Sequence, residues 1–208
     1  MIIELCGLPA SGKSTFASLL AQEHGAVIAR VASRTELMYR AFAFVLQYPL
    51  LSITTAYYIT QNAPSSRLLY TKLANTFLHH SARLHKALRA KGGLIVVDEG
   101  LFQNIISIFE RPMMPSVIQN YAGRFPAIGA IVCFDIPDHI REQYARKRGY
   151  SAREEIADET SRQAWLAAAK QNLRAAVSGA GSSKMTIYTI CTAEDYGAVI
   201  RQIKAQNT

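Results

Sequence analysis

"IIELCGLPASGKST", residues 2–15, decides the fold. A short apolar run leads directly into Gly7, Gly12, Lys13 and Ser14, which satisfy the spacing G-x-x-x-x-G-K-[ST]. That spacing carries weight only between a strand and a helix. Both flanks are present: "IIEL" reads as a buried strand, and "STFASLLAQEHG" puts Phe16, Leu19 and Leu20 on one helical face, with Gly25 shortly past its end. In such a loop the backbone of Gly7, Ala10, Ser11 and Gly12 wraps a phosphate with inward N–H groups, and the helix adds its positive end at the same spot. Lys13 then reaches the β and γ phosphates, Ser14 ligates Mg²⁺, and Thr15 hydrogen-bonds a phosphate nearer the ribose. The competing reading is a glycine-bearing βα turn that binds nothing.

The chain has 208 residues, half of them apolar, which fits one domain better than two. Its 23 Lys and Arg against 15 Asp and Glu give a net charge of +8, suited to handling polyanions without choosing among nucleotides, nucleic acid and anionic membrane. Cys6, Cys133 and Cys191 form no CxxC pair, and each closes or nearly closes an expected buried strand, where a thiol packs as a small hydrophobe. With no secretory pattern at Met1, these thiols imply a cytoplasmic protein. No charge falls between Arg40 and Arg67, and "AFAFVLQYPLLSITTAYYIT" (41–60) is as long as a membrane span. Gln47, Pro49, Ser52, Thr54, Thr55 and Thr60 interrupt it, so a buried helix pair kinked near Pro49, or a homodimer face, is the preferred reading and membrane association the lesser one.

Short apolar runs alternate with segments of helical period, the pattern of a parallel sheet covered on both faces. Five strands are expected, at 2–6, 26–30, 94–98, 128–134 and 185–190. Leu69, Leu73, Phe77, Leu84 and Leu88 mark a helix before the third strand, ended by Lys91-Gly92-Gly93. Ile156, Trp165, Leu166, Leu173 and Val177 mark another, stopped by "SGAGSS" (178–183), and Tyr196, Val199, Ile200 and Ile203 a last.

Asp98 ends the strand "LIVVD" and is followed by Glu99 and Gly100. Ligands of doubly wound sheets gather at the carboxyl ends of the strands, which brings Asp98 within reach of the loop's metal. Of two adjacent carboxylates there, one holds a metal-bound water and the other takes a proton from an incoming hydroxyl, and the sequence does not divide the roles. "FDIPDHIREQYARKRGYSAR" (134–153) concentrates Arg141, Arg146, Lys147, Arg148 and Arg153. Asp138 is expected to cap its helix and Ile140 with Tyr144 to form the buried side. Cations at a helix C-terminus are favoured on dipole grounds alone. The functional reading is a lid, about 141–154, whose guanidiniums close over the phosphates.

The order "GLPASGKST", "VVDEGLFQ", "FDIPDHIREQYARKRG" and "TAEDYGAVIRQI" resembles the thymidylate kinase branch of P-loop nucleoside and nucleotide kinases across almost the whole chain. The resemblance implies a three-layer α/β/α sandwich of five parallel strands in order 2-3-1-4-5, ATP with Mg²⁺, and phosphorylation of a small acceptor. Carried over, Lys13 and Ser14 match the phosphate loop, Asp98 the acidic residue after strand three, and Arg146 and Arg148 the lid, while Thr192 and Ala193 lie against the adenine. One departure stands out. Nucleotide kinases of this branch usually follow the aspartate with Arg-Tyr, where this chain has Glu99-Gly100, which removes a cation expected at an acceptor phosphate.

Residues 30–67 are expected to cover the acceptor, with Arg30 and Arg34 supplying charge, Gln103 and Arg153 adding contacts, and Phe42, Phe44, Tyr48, Tyr57 and Tyr58 either stacking on a ring or packing in the core. The five histidines show no metal-ligand spacing and read as surface or partly buried helix residues. The expected activity is phosphoryl transfer from Mg-ATP to a nucleoside, nucleotide or sugar. A nucleotide-dependent switch or assembly ATPase, and a polynucleotide 5′-end kinase, are the alternatives, with nucleic acid ranked behind a small molecule as partner.

Overall fold

The computed structural model describes residues 1–63, 65–149, 158–180 and 185–207. In chain order they form β1 (Ile2–Gly7), α1 (Lys13–His24), β2 (Val27–Ile28), α2 (Arg34–Gln47), α3 (Pro49–Gln61), α4 (Ser66–Thr71), a π-helical segment (Lys72–His79), α5 (His80–Arg89) and β3 (Ile95–Asp98). These are followed by α6 (Leu101–Ile108), α7 (Pro115–Ala122), β4 (Ala130–Phe134), α8 (Asp138–Arg148), α9 (Glu159–Ala180), β5 (Thr186–Ile190) and α10 (Asp195–Asn207). All five strands pair in parallel, in the order β2-β3-β1-β4-β5. The expected α/β architecture and strand order are therefore those observed.

Side-chain alternation along β1 builds the two outer layers. Ile3 and Leu5 point to one side and join Phe16 and Leu20 of α1 and Val199, Ile200 and Ile203 of α10. Cys6 points to the other and joins a larger core of α2, α3, α5, α6, α7 and α9. Strands β1 and β4 run beside each other with Leu5 opposite Val132 and Gly7 opposite Phe134, so the chain leaves the sheet for the phosphate loop at its carboxyl edge. A Cβ on Gly7 would stand 2.8 Å from that of Phe134, which is why the loop can start only from glycine there.

Several local expectations need correction. Strand β2 has two residues rather than five, although Ala29 N–H still bonds Val96 C=O at 2.8 Å before the chain turns away. The helix expected over Leu69 to Leu88 contains a π-helical segment, a wider winding than the α-helix. Asp138 does not cap α8: Pro137 holds the cap position, and the Asp138 carboxylate turns instead toward Arg141 and Lys170, at 4.0 and 3.6 Å. Helix α8 packs through Ile140, Arg141 and Ala145, so of the stripe expected Ile140 meets the core while Tyr144 is 38% exposed. Helix α9 continues through Ser178 and Gly179 to Ala180, past the anticipated stop. Cys191 is exposed while Cys6 and Cys133 are buried, and His80 and His85 are buried rather than superficial. Ile156 and Arg153 lie outside the described residues.

Helices α2 and α3 are bent by 110° at Pro49, and no single helix among the described residues is long and apolar enough to cross a membrane. The uncharged stretch divides by face. Phe44, Leu51 and Ile59 enter the core with Tyr48 and Tyr58 packed against it, whereas Phe42, Leu46, Leu50, Ile53 and Tyr57 stand exposed.

Candidate active site

The carboxyl ends of β1 and β3, the first turn of α1 and the C-terminal half of α8 enclose a cleft of about 790 Å³. Pro9 to Thr15 form its floor, Glu99 and Gln103 one wall, Tyr144, Lys147 and Arg148 the roof, and Ala193 with Tyr196 the far end. Gly12 caps α1 at φ +90°, a left-handed conformation that leaves the first amides of the helix facing the cleft. A Cβ there would lie 2.3 Å from the Tyr196 hydroxyl, which itself donates to Gly12 C=O at 3.4 Å. Ala10 is also left-handed, at φ +60°.

Lys13 is 7% exposed and donates from Nζ to the carbonyls of Gly7 and Leu8, at 2.9 and 3.1 Å. Burial lowers its pKa, the Glu99 and Asp98 carboxylates act in the opposite sense, and the Arg148 guanidinium adds to the lowering. A buried cation at a helix N-terminus is costly until an anion arrives, so the loop is electrostatically prepared for phosphate. Ser14 Oγ donates to Asp98 Oδ2 at 2.9 Å, and Asp98 Oδ1 is buried with no hydrogen-bond partner among the described residues. A hydroxyl and a carboxylate so placed, with one carboxylate oxygen orphaned, are hard oxygen donors that could hold a divalent cation.

Glu99 has φ +69°, so the chain turns sharply after β3 and sends its side chain, 43% exposed, toward the cleft. Arg83 of α5 donates from Nη1 to Asp98 C=O at 2.9 Å and to Glu99 Oε2 at 3.4 Å. Sequence reasoning missed this residue. The cation lacking next in sequence to Asp98 is met at the same corner by one from a different helix, and only the packing of α5 on β3 reveals it. Gln103, 5% exposed, accepts from Gly7 N–H at 3.1 Å and ties α6 to the start of the phosphate loop.

The remaining expected residues are divided. Arg148 lines the cleft beside Lys147. Arg146 lies 3.5 Å from Glu142 and lines a separate 500 Å³ cleft with Arg141, Arg162 and Lys170. Arg30 and Arg34 are exposed and outside the cleft lining. Thr192 turns its N–H to Asp195 Oδ2 at 2.8 Å, leaving Ala193 as the loop's contact with the cleft.

Fold and site together define a P-loop nucleotide-binding α/β protein. The family model described as "AAA domain" matches residues 2–173, and the chain belongs to that family. Its fold is similar to that of deoxyadenosine kinase from M. mycoides. The form solved with bound dCTP has 12% identity and a TM-score of 0.55 over 99% of this chain and 100% of that one. The form with the products dCMP and dCDP has 13% identity and a TM-score of 0.57 over the same shares. Thymidylate kinase from Candida albicans aligns at 13% identity and a TM-score of 0.49, over 99% of this chain and 91% of that one. A search of curated proteins finds no significant match. The fold is thus a P-loop kinase fold, similar to that of deoxyadenosine kinase.

Proposed function

We propose that this protein transfers the γ-phosphoryl group of Mg-ATP to a hydroxyl or phosphate of a small metabolite, a nucleoside, nucleotide or sugar. The observation that carries the reading is the convergence on one cleft of Lys13 and Ser14, Glu99 and Arg148, with Asp98 bonded to Ser14, from three separate parts of the chain. In this reading the loop amides and Lys13 hold the β and γ phosphates, Lys13 exchanging its two carbonyl partners for phosphate oxygens. Ser14 and Asp98 would hold Mg²⁺, which would supply charge neutralisation for the triphosphate. Arg148 and Lys147 face the transferred group from above, and Tyr144, Ala193 and Tyr196 offer the adenine end a partly apolar wall.

The surroundings of the two carboxylates support a division of labour. Asp98 is engaged with Ser14, whereas Glu99 is open to the cleft and oriented by Arg83, as a base that takes the acceptor's proton must be. Arg83, held at Asp98 C=O and Glu99, is a further cation at this corner for an acceptor phosphate. The acceptor then enters on the side of Glu99 and Gln103, opposite the adenine wall.

The test is an acceptor panel of nucleosides, nucleotides and sugars with Mg-ATP, following ADP release. One acceptor class is expected to drive turnover, and Lys13→Ala is expected to lower it by about 100-fold or more with the fold intact. Acceptor-dependent turnover that survives Lys13→Ala would refute the assignment.

A further inference from the structure

Glu4 sits in the middle of β1, between Val97 of β3 and Ile131 of β4, and is 1% exposed. A central parallel strand ordinarily reads as an unbroken apolar run, because helices cover both of its faces. A carboxylate there needs a compensating set of donors. It has one. Glu4 Oε1 accepts from Phe102 N–H at 2.5 Å and from Gln103 N–H at 3.4 Å, so it closes the N-terminus of α6 from a different element. That helix has no cap of its own: Gly100 holds the cap position without a side chain, and the first turn carries no acid. The approach is close enough to dictate the neighbouring residue, since a Cβ on Gly100 would lie 2.6 Å from the Glu4 carboxyl carbon and 2.7 Å from Oε2.

The turn so held is the one that builds a wall of the cleft. Glu99 immediately precedes Gly100 at φ +69°, and Gln103 reaches from the first turn of α6 to Gly7 N–H. We propose that Glu4 is a positioning residue for phosphoryl transfer: its buried carboxylate anchors the α6 N-terminus and thereby fixes Glu99 and Gln103 against the phosphate loop. An apolar residue of equal size would fill the space and leave the Phe102 and Gln103 amides without an acceptor, so packing alone does not explain a glutamate. Glu4 does not line the cleft. It acts through the corner it supports, and this inference rests on the kinase reading of that corner.

Glu4→Gln keeps the size and replaces one carboxyl oxygen with an NH₂ group that would face N–H donors. In the full-length protein with the acceptor found by the panel, kcat is expected to fall by about tenfold or more, while the dissociation constant for Mg-ATP stays within about twofold. Amide hydrogen exchange at Phe102 and Gln103 should accelerate by about tenfold, with β1, β3 and β4 protected as before. Gly100→Ala, which presses a methyl group onto the same carboxyl, should reproduce all three effects and serves if Glu4→Gln does not fold. Unchanged kcat, unchanged exchange at Phe102 and Gln103, or a loss of protection spread evenly over the sheet would each overturn the proposal. Failure of the kinase reading would look different, because the unaltered protein would then turn over no acceptor while the exchange response at the corner remained to decide what Glu4 holds.

Discussion

Asp98 and Glu99 are neighbours in the chain with unlike surroundings, and the difference lies in partners a linear reading does not contain. The sequence placed two acids after a strand and left their roles open. Ser14 on one and Arg83 on the other, at 2.9 and 3.4 Å, tell them apart. Arg83 itself was illegible because nothing local distinguishes it from other cations on α5. Buried polar residues elsewhere were equally hidden. His80 lies in the helical layer with Nδ1 2.5 Å from Asn104 Oδ1, and burial lowers its pKa to about 4. Its folded pKa is thus below the unfolded value of 6.5, so as pH falls from 6.5 to 4 the unfolded chain takes up a proton that the folded one refuses, and stability drops by about 3 kcal/mol. Glu4, raised by burial to about 8, works in the opposite sense above pH 4.5. The histidine contribution is therefore read as a difference: denaturant titrations at pH 7 and 4.5 should show that His80→Gln gains stability on acidification relative to the unaltered protein, and an equal pH dependence in both proteins would refute it.

At the scale of elements, the strands and the phosphate loop were legible because strand runs, glycines and helix starts leave marks in a few consecutive residues. Helix α8 was legible as a basic segment and misread in rotation. Of its expected stripe Ile140 packs on the core, but the long stem of Arg141 goes inward with Ala145 in place of Tyr144, so Tyr144 and Arg148 turn to the cleft while Arg146 turns to Glu142. The two arginines should accordingly separate in kinetics. Arg148→Ala should lower kcat by about 100-fold, by loss of a cation facing the transferred group, while Arg146→Ala should change it by less than about threefold. Equal effects would mean that the lid closes in a different rotation. The kink at Pro49 was legible from proline chemistry. The face it leaves exposed was not, since apolar residues at mixed spacing do not say which of them meets the core.

Across the whole molecule, five parallel strands put the carboxyl ends of β1 and β3 side by side, and that single fact brings residue 14 to residue 98. A net charge of +8 then needs no nucleic acid to explain it, because part of the excess lines the cleft as Lys13, Lys147 and Arg148. The central claim is that these groups meet over one metal-bound triphosphate. Calorimetric titration of ATP into the protein, with and without Mg²⁺, tests it most directly. Mg-ATP should bind the unaltered protein, Lys13→Ala should weaken binding by about 100-fold, and Asp98→Asn should abolish the difference made by Mg²⁺. Equal affinity for Mg-ATP in the unaltered protein and in Lys13→Ala would contradict it.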